Sequence, residues 1–180
     1  QTGMIAPLLA TQYRANPLLS SVRTVFTIHN LRYQGIFPWM FIDDLLGIGD
    51  AYFTPDMLEY YGCANFLKAG IVFSDVVTTV SPSYAQEIQT PYFGERLDGL
   101  LRARSNVLVG ILNGIDTEEY DPETDPMIPA HYSAKDLSGK AECKAALQRD
   151  LGLEIALDVP MVAMVSRLTE QKGIDLIDRV

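Results

Sequence analysis

Three short runs constrain this chain more than anything else in it. Residues 23–28 (Arg-Thr-Val-Phe-Thr-Ile), 75–80 (Asp-Val-Val-Thr-Thr-Val) and 107–112 are rich in β-branched residues and nearly continuous in apolarity. Strands buried on both faces have this composition, and they belong to parallel sheets. Helical patterns fill the intervals. Ile5, Leu8, Leu9 and Tyr13 predict a helix over 4–15, ended by Pro17, and 65–73 reads as a helix buried on most sides. Ser81-Pro82 starts another, because Ser accepts from free N–H groups and Pro suits a first turn. A further helix is predicted over 97–104, and short ones over 42–46 and 55–60. Asn113-Gly114 closes the third strand with a turn. Such alternation predicts an α/β fold with a doubly wound parallel sheet.

After Asp116 the character changes. Residues 116–139 hold Pro122, Pro126 and Pro129 among acidic and small residues, the composition of an interdomain linker. An amphipathic helix is predicted over 140–151 and a new strand over 160–165 (Pro-Met-Val-Ala-Met-Val). That strand opens Ser166-Arg167-Leu168-Thr169-Glu170-Gln171-Lys172-Gly173, which leads into a last helix. The expected organisation is the back of one doubly wound domain (1–116), a linker (117–139) and the front of a second domain (140–180). The chain starts at Gln1 without an initiator Met and stops at Val180 within a helical pattern, so it reads as an internal fragment.

Of the 180 residues, 48% are hydrophobic and 21% charged, with a net charge of −9. An acidic surface repels nucleic acid and anionic lipid, so neither is expected as a partner. A phosphate-bearing ligand must then be met by a few well-placed cations. Cys63 and Cys143 form no CxxC pair, which argues against a disulfide framework or a zinc site. Two reduced thiols fit a reducing, cytoplasmic compartment. No apolar run is long enough to span a bilayer. Oligomeric state leaves no signature.

In open parallel sheets, ligands bind beyond the carboxyl ends of the strands. His29-Asn30, Asn113-Gly114-Ile115-Asp116 and Ser166-Arg167 stand at such ends. His29 can donate or accept a hydrogen bond at neutral pH; the same place suits a structural histidine locking the loop. Arg167 and Lys172 lie across a strand-to-helix turn, where free N–H groups favour an anion such as pyrophosphate. Two solvated cations near Glu170 are the plainer alternative. Asn113-Gly114 is either part of a site or an ordinary turn. The aromatic loop from Tyr33-Gln34-Gly35 to Trp39 can stack on sugar faces or cover a core edge. His131 and Glu118-Glu119 read as solvated. There is no GxGxxG fingerprint, P-loop, GxSxG elbow or HExxH helix, which disfavours hydride transfer and P-loop phosphoryl transfer.

Six stretches together resemble the glycogen synthase and starch synthase family. They are Thr27-Ile28-His29-Asn30-Leu31 with Tyr33-Gln34-Gly35, Tyr61-Gly62 with Asn65-Phe66-Leu67-Lys68-Ala69-Gly70, Thr79-Val80-Ser81-Pro82-Ser83-Tyr84-Ala85, Gly94-Glu95-Arg96-Leu97-Asp98-Gly99-Leu100, Ile111-Leu112-Asn113-Gly114-Ile115-Asp116, and 166–173. They run in the family's order. The resemblance implies two Rossmann-like domains of the GT-B architecture with the active site in their cleft. It implies metal- and cofactor-independent, configuration-retaining transfer of glucose from ADP-glucose or UDP-glucose to the non-reducing end of an α-1,4-glucan. By the same resemblance, His29 lines the donor glucose, Arg167 and Lys172 hold the diphosphate, and Asn30, Tyr33, Gln34, Asn113 and Gly114 line the substrate site. A plant member would sit in the plastid stroma. The family's Lys-x-Gly-Gly-Leu segment and later glutamate motif are absent, so the 180 residues alone are expected to be inactive. Two alternatives stand beside this reading: a related GT-B transferase with another acceptor, and a non-catalytic glucan- or nucleotide-sugar-binding module.

Overall fold

A computed structural model describes residues 2–177. The elements in chain order are α1 (Ile5–Ala10), β1 (Val25–Ile28), β2 (Ile36–Pro38), α2 (Trp39–Leu46), β3 (Glu59–Tyr60), β4 (Cys63–Asn65), α3 (Phe66–Phe73), β5 (Val76–Thr79), α4 (Pro82–Glu87), α5 (Asp98–Ala103), β6 (Leu108–Gly110), α6 (Ser138–Asp150) and α7 (Ile174–Ile177). The chain divides into two compact units, Gln1–Gly114 and Ile115–Val180.

The first unit is built on a parallel sheet of order β1-β5-β6. All three predicted strands form, each shorter than its apolar run. Central β5 carries the buried residues Val77, Thr78 and Thr79, as a strand between two neighbours should. β1 departs from the expectation of burial on both faces. Phe26 and Ile28 turn inward, while Val25 and Thr27 are exposed, because no described element covers that face. The core joins Ile28, Leu31, Leu67, Ile71, Val77, Ile88, Leu97 and Leu101. Each such side chain contributes about 2 kcal/mol through removal from water.

Helix α3 sits deepest. Asn65 caps it, its side chain accepting from the Lys68 N–H at 2.9 Å, and residues Phe66 through Ile71 are buried. Gly70 is required there, since a Cβ would lie 2.7 Å from the Phe26 ring. Ser81 caps α4 by accepting from Tyr84 N–H at 2.9 Å, with Pro82 in the first turn, as the sequence indicated.

A second, antiparallel sheet of order β2-β4-β3 was not anticipated. Turns over 55–58 and then β3 stand where a helix was predicted over 55–60. Glu59 and Tyr60 pair with Ala64 and Cys63, and the buried Lys68 ammonium takes the carbonyl oxygens of Pro55 and Glu59. Carbonyls held by a lysine and a strand ladder cannot serve a helix. The first helix is also shorter than predicted: α1 stops at Ala10, and turns carry the chain from Thr11 to Ala15, ahead of Pro17.

The second unit holds α6, a run of Asx turns and a weakly structured tail. Asp116 accepts from Glu118 and Glu119 N–H, and Asp121, Asp125 and Asp136 each cap a following N–H, so the acidic stretch folds on its own carboxylates. The strand predicted over 160–165 is not formed. A strand needs a hydrogen-bonded neighbour, and among the described residues of this unit none is present. Val162 and Val165 are instead exposed. Among its described residues this unit buries no large apolar side chain; its one buried group is Gln148, bonded to Ala156 at both ends of its amide. The helix predicted past Gly173 forms as α7, and its continuation to Arg179 and Val180 lies outside the described residues.

One ionic clamp gives a pH signature. Asp75, just ahead of β5, accepts from Thr24 N–H and Arg23 Nη1, both at 2.8 Å, and from Thr24 Oγ1 at 3.1 Å. The Thr24 backbone bond, then Arg23, hold its carboxyl at about 2, below the ordinary 3.8. A depressed folded value means that the stabilisation is present above 3.8 and is lost as pH falls toward 2. Asp75→Asn is expected to remove this part of the acid slope. Urea titrations between pH 2 and 5 check it, and identical slopes in both proteins would refute it.

Candidate active site at the carboxyl end of the first strand

Two hydrogen bonds hold the ends of the parallel strands in step. Thr79 Oγ1 donates to the Ile28 carbonyl at 2.8 Å, and Ile111 N–H donates to the Thr79 carbonyl at 2.7 Å. His29 therefore leaves the sheet from a fixed point, with its side chain exposed. The loop beyond it is organised from within. Asn30 Oδ1 accepts from Arg32 N–H at 2.9 Å, an Asx turn, and Leu31 is anchored in the core at 1% exposure. Tyr33 swings outward, 63% exposed, and Gln34 returns to the interior.

A cavity of about 280 Å³ opens here. His29, Asn30, Tyr33 and Gln34 line it together with Thr2 and Gly3. Four of the residues named from sequence are thus neighbours. Gln34 differs from the rest because its amide is fully engaged by the fold. Its Nε2 donates to the Glu95 carbonyl at 2.9 Å, and its Oε1 accepts from Asn65 Nδ2 at 2.5 Å. It holds the loop in place.

Thr2 and Gly3 were missed as lining residues. A Cβ on Gly3 would sit 2.0 Å from the Phe66 carbonyl oxygen, so only glycine lets the amino-terminal turn reach the wall of the cavity. A glycine directly ahead of a helical pattern was the available cue.

Asn113 and Gly114 lie past β6 in irregular, exposed chain and do not line this cavity. A Cβ on Gly114 would meet nothing within 4 Å.

Arg167 and Lys172 belong to the second unit, and both are exposed. Thr169 N–H donates to the Arg167 carbonyl and Lys172 N–H to the Thr169 carbonyl, each at 2.9 Å. Residues Glu170–Lys172 form a single 3-10 turn, which Gly173 ends at φ 72°. The two cations therefore stand on consecutive tight turns ahead of α7, not across a formed strand and helix. His131 is exposed as expected, with Nε2 3.1 Å from the Asp125 carbonyl.

Comparison with known proteins follows the same outline. The family model described as the starch synthase catalytic domain matches residues 1–103. The glycogen synthase of Geobacillus thermodenitrificans (strain NG80-2) is 56% identical over 176 residues, 98% of this chain and 36% of the relative. That of Bacillus licheniformis is 51% identical over 179 residues, 99% of this chain and 37% of the relative. Among solved structures, the catalytic domain of Starch Synthase IV from Arabidopsis thaliana, bound to ADP and acarbose, matches at a TM-score of 0.85. That match has 40% identity and covers 99% of this chain and 37% of that one. The chain spans a little over a third of the length of these relatives. The fold is accordingly of the GT-B type, represented here in part, and the chain belongs to the starch synthase catalytic domain family.

Proposed function

We propose that this chain is part of a glycosyltransferase that moves glucose from ADP-glucose, or UDP-glucose, onto the non-reducing end of an α-1,4-glucan with retained configuration. The observation that carries the reading is the cavity at the end of β1, where His29, Asn30 and Tyr33 converge on a pocket of monosaccharide size. The names of the relatives, glycogen synthases, support it, as does the bound ADP of the solved neighbour.

In this reading His29 lines the donor glucose and stabilises the positive charge that grows on the ring as the bond to the phosphate oxygen breaks. Asn30 and Tyr33 place the sugar hydroxyls, and Asn113 and Gly114 form a further edge of the donor site. Arg167 and Lys172 take the diphosphate, which gains negative charge as it leaves. The acceptor hydroxyl gives its proton to the departing phosphate, so the charges balance without a metal or organic cofactor. The free thiols of Cys63 and Cys143 fit a reducing cytoplasm, and no described helix is long and apolar enough to cross a membrane.

The test is glucose incorporation into glycogen by the full-length protein, with ADP-glucose and UDP-glucose offered separately. Incorporation from either supports the reading, and the faster one identifies the donor. Incorporation from neither overturns it.

A further inference from the structure

Strand β5 changes character at its carboxyl end. Val76 and Val77 are followed by Thr78 and Thr79, which are only 7% and 1% exposed. Valine has nearly the shape of threonine, suits a strand as well and has no hydroxyl to desolvate. Packing alone would have kept valine. The two hydroxyls are accounted for by what they bond.

Both reach β1. Successive side chains of a strand point to opposite faces, so the two threonines approach their neighbour from opposite sides of the sheet. Thr78 Oγ1 lies 2.8 Å from Thr27 Oγ1, its partner in the strand register. Thr79 Oγ1 donates to the Ile28 carbonyl at 2.8 Å. Thr27 and Ile28 are the last two residues before His29, and both line the cavity with it. The Ile28 carbonyl and the His29 N–H belong to one planar peptide unit, so a bond that fixes the first also fixes the second. Among the described residues nothing hydrogen-bonds the His29 imidazole, so the ring inherits its place from this backbone.

The base of the clamp is itself firm. On its other edge β5 is tied to β6, where Ile111 N–H donates to the Thr79 carbonyl at 2.7 Å. Two residues further on, Ser81 caps α4. Thr79 therefore holds β1 through its side chain while its main chain is held by the neighbouring strand. We propose that Thr78 and Thr79 are positioning residues for His29. Neither lines the cavity; they hold the end of β1 so that the imidazole meets the reacting sugar. The catalytic consequence rests on the proposed function. A small displacement of a group that acts in the transition state lowers the rate and spares affinity for the donor.

The test uses the full-length protein with isotope-labelled histidine. The His29 imidazole resonance is assigned by its loss in His29→Ala. Thr78→Val and Thr79→Val keep the side-chain volume and are expected to fold. Thr78→Val is the safer of the two, because it leaves unpaired only the hydroxyl of the exposed Thr27. In both variants the His29 resonance should shift or split, and Thr79→Ser, which keeps the hydroxyl, should restore it. Glucose transfer is scored separately: kcat should fall about tenfold in Thr79→Val at an unchanged donor KM, and recover in Thr79→Ser. A His29 resonance unmoved in both valine variants overturns the positioning role, whatever the rates. A moved resonance with wild-type kcat overturns it too, as does a lowered melting temperature with no other change. Absence of transfer in the wild type overturns the proposed function instead, and the resonance still decides whether the threonines place His29.

Discussion

Replacing Arg167 with alanine in the full-length protein is expected to lower the rate of glucose transfer by about 100- to 1,000-fold while leaving the melting temperature unchanged. The two halves of this expectation have separate causes. Arg167 is exposed, and its carbonyl accepts from Thr169 N–H and Ser166 Oγ, so side-chain truncation disturbs little packing. The kinetic loss is what the proposed function requires: a departing diphosphate gains charge in the transition state, where a fixed donor fork is worth about 3–4 kcal/mol. Arg167→Lys should recover only part of the rate, because an ammonium offers a point charge where the guanidinium offers two parallel donors. Lys172→Ala should fall in the same direction by a smaller factor for the same reason. The kinetic fall belongs in kcat, since the interaction strengthens only as the bond breaks. An unchanged kcat for both Arg167→Ala and Lys172→Ala would remove these two cations from the transition-state machinery and leave them as surface charges.

The parallel sheet was legible because its signal is local. β-branched runs at 23–28, 75–80 and 107–112 fall where β1, β5 and β6 form, and the Ser81 cap acts through a bond within three residues. The antiparallel sheet was not legible, because two- and three-residue strands carry no periodicity. Its one local cue, Tyr61-Gly62, lacks the Asn or Asp that announces a hairpin. Residues 160–165 show the opposite failure. Their composition is that of a strand, yet strand structure belongs to a pair, and the described residues supply no partner. The site divides in the same way. His29, Asn30 and Tyr33 follow a strand end directly, so sequence position places them in the cavity. Gln34 looked like its neighbours, and only the long-range contacts to Asn65 and Glu95 reveal that its amide is held by the fold. Gly3 reaches the cavity through an approach to Phe66 that no spacing rule encodes.

Asn65→Ala is expected to destabilise the protein by about 3 kcal/mol, the largest effect of any single polar truncation in the first unit. Asn65 is fully buried and works at both ends of its side chain. Its Oδ1 caps α3, and loss of a cap costs about 1 kcal/mol. Its Nδ2 donates to Gln34 Oε1, and removal leaves a buried carbonyl oxygen without that donor, a penalty of about 1–3 kcal/mol. Asn65→Asp separates the two effects. The cap survives, but a buried carboxylate then faces Gln34 Oε1, so stability should still fall. Gln34→Ala breaks the same bond from the other side and also removes one of two donors to the Glu95 carbonyl in the strained 95–96 turn, leaving Tyr60 OH as the other. Because the two residues share a bond, the double variant should be less destabilised than the sum of the singles by about 1 kcal/mol. Urea unfolding of the four proteins measures this coupling. Strict additivity would mean that the loop carrying His29 and Tyr33 is held by Leu31 and the strand ends alone, and that the Asn65–Gln34 bond contributes nothing to its position.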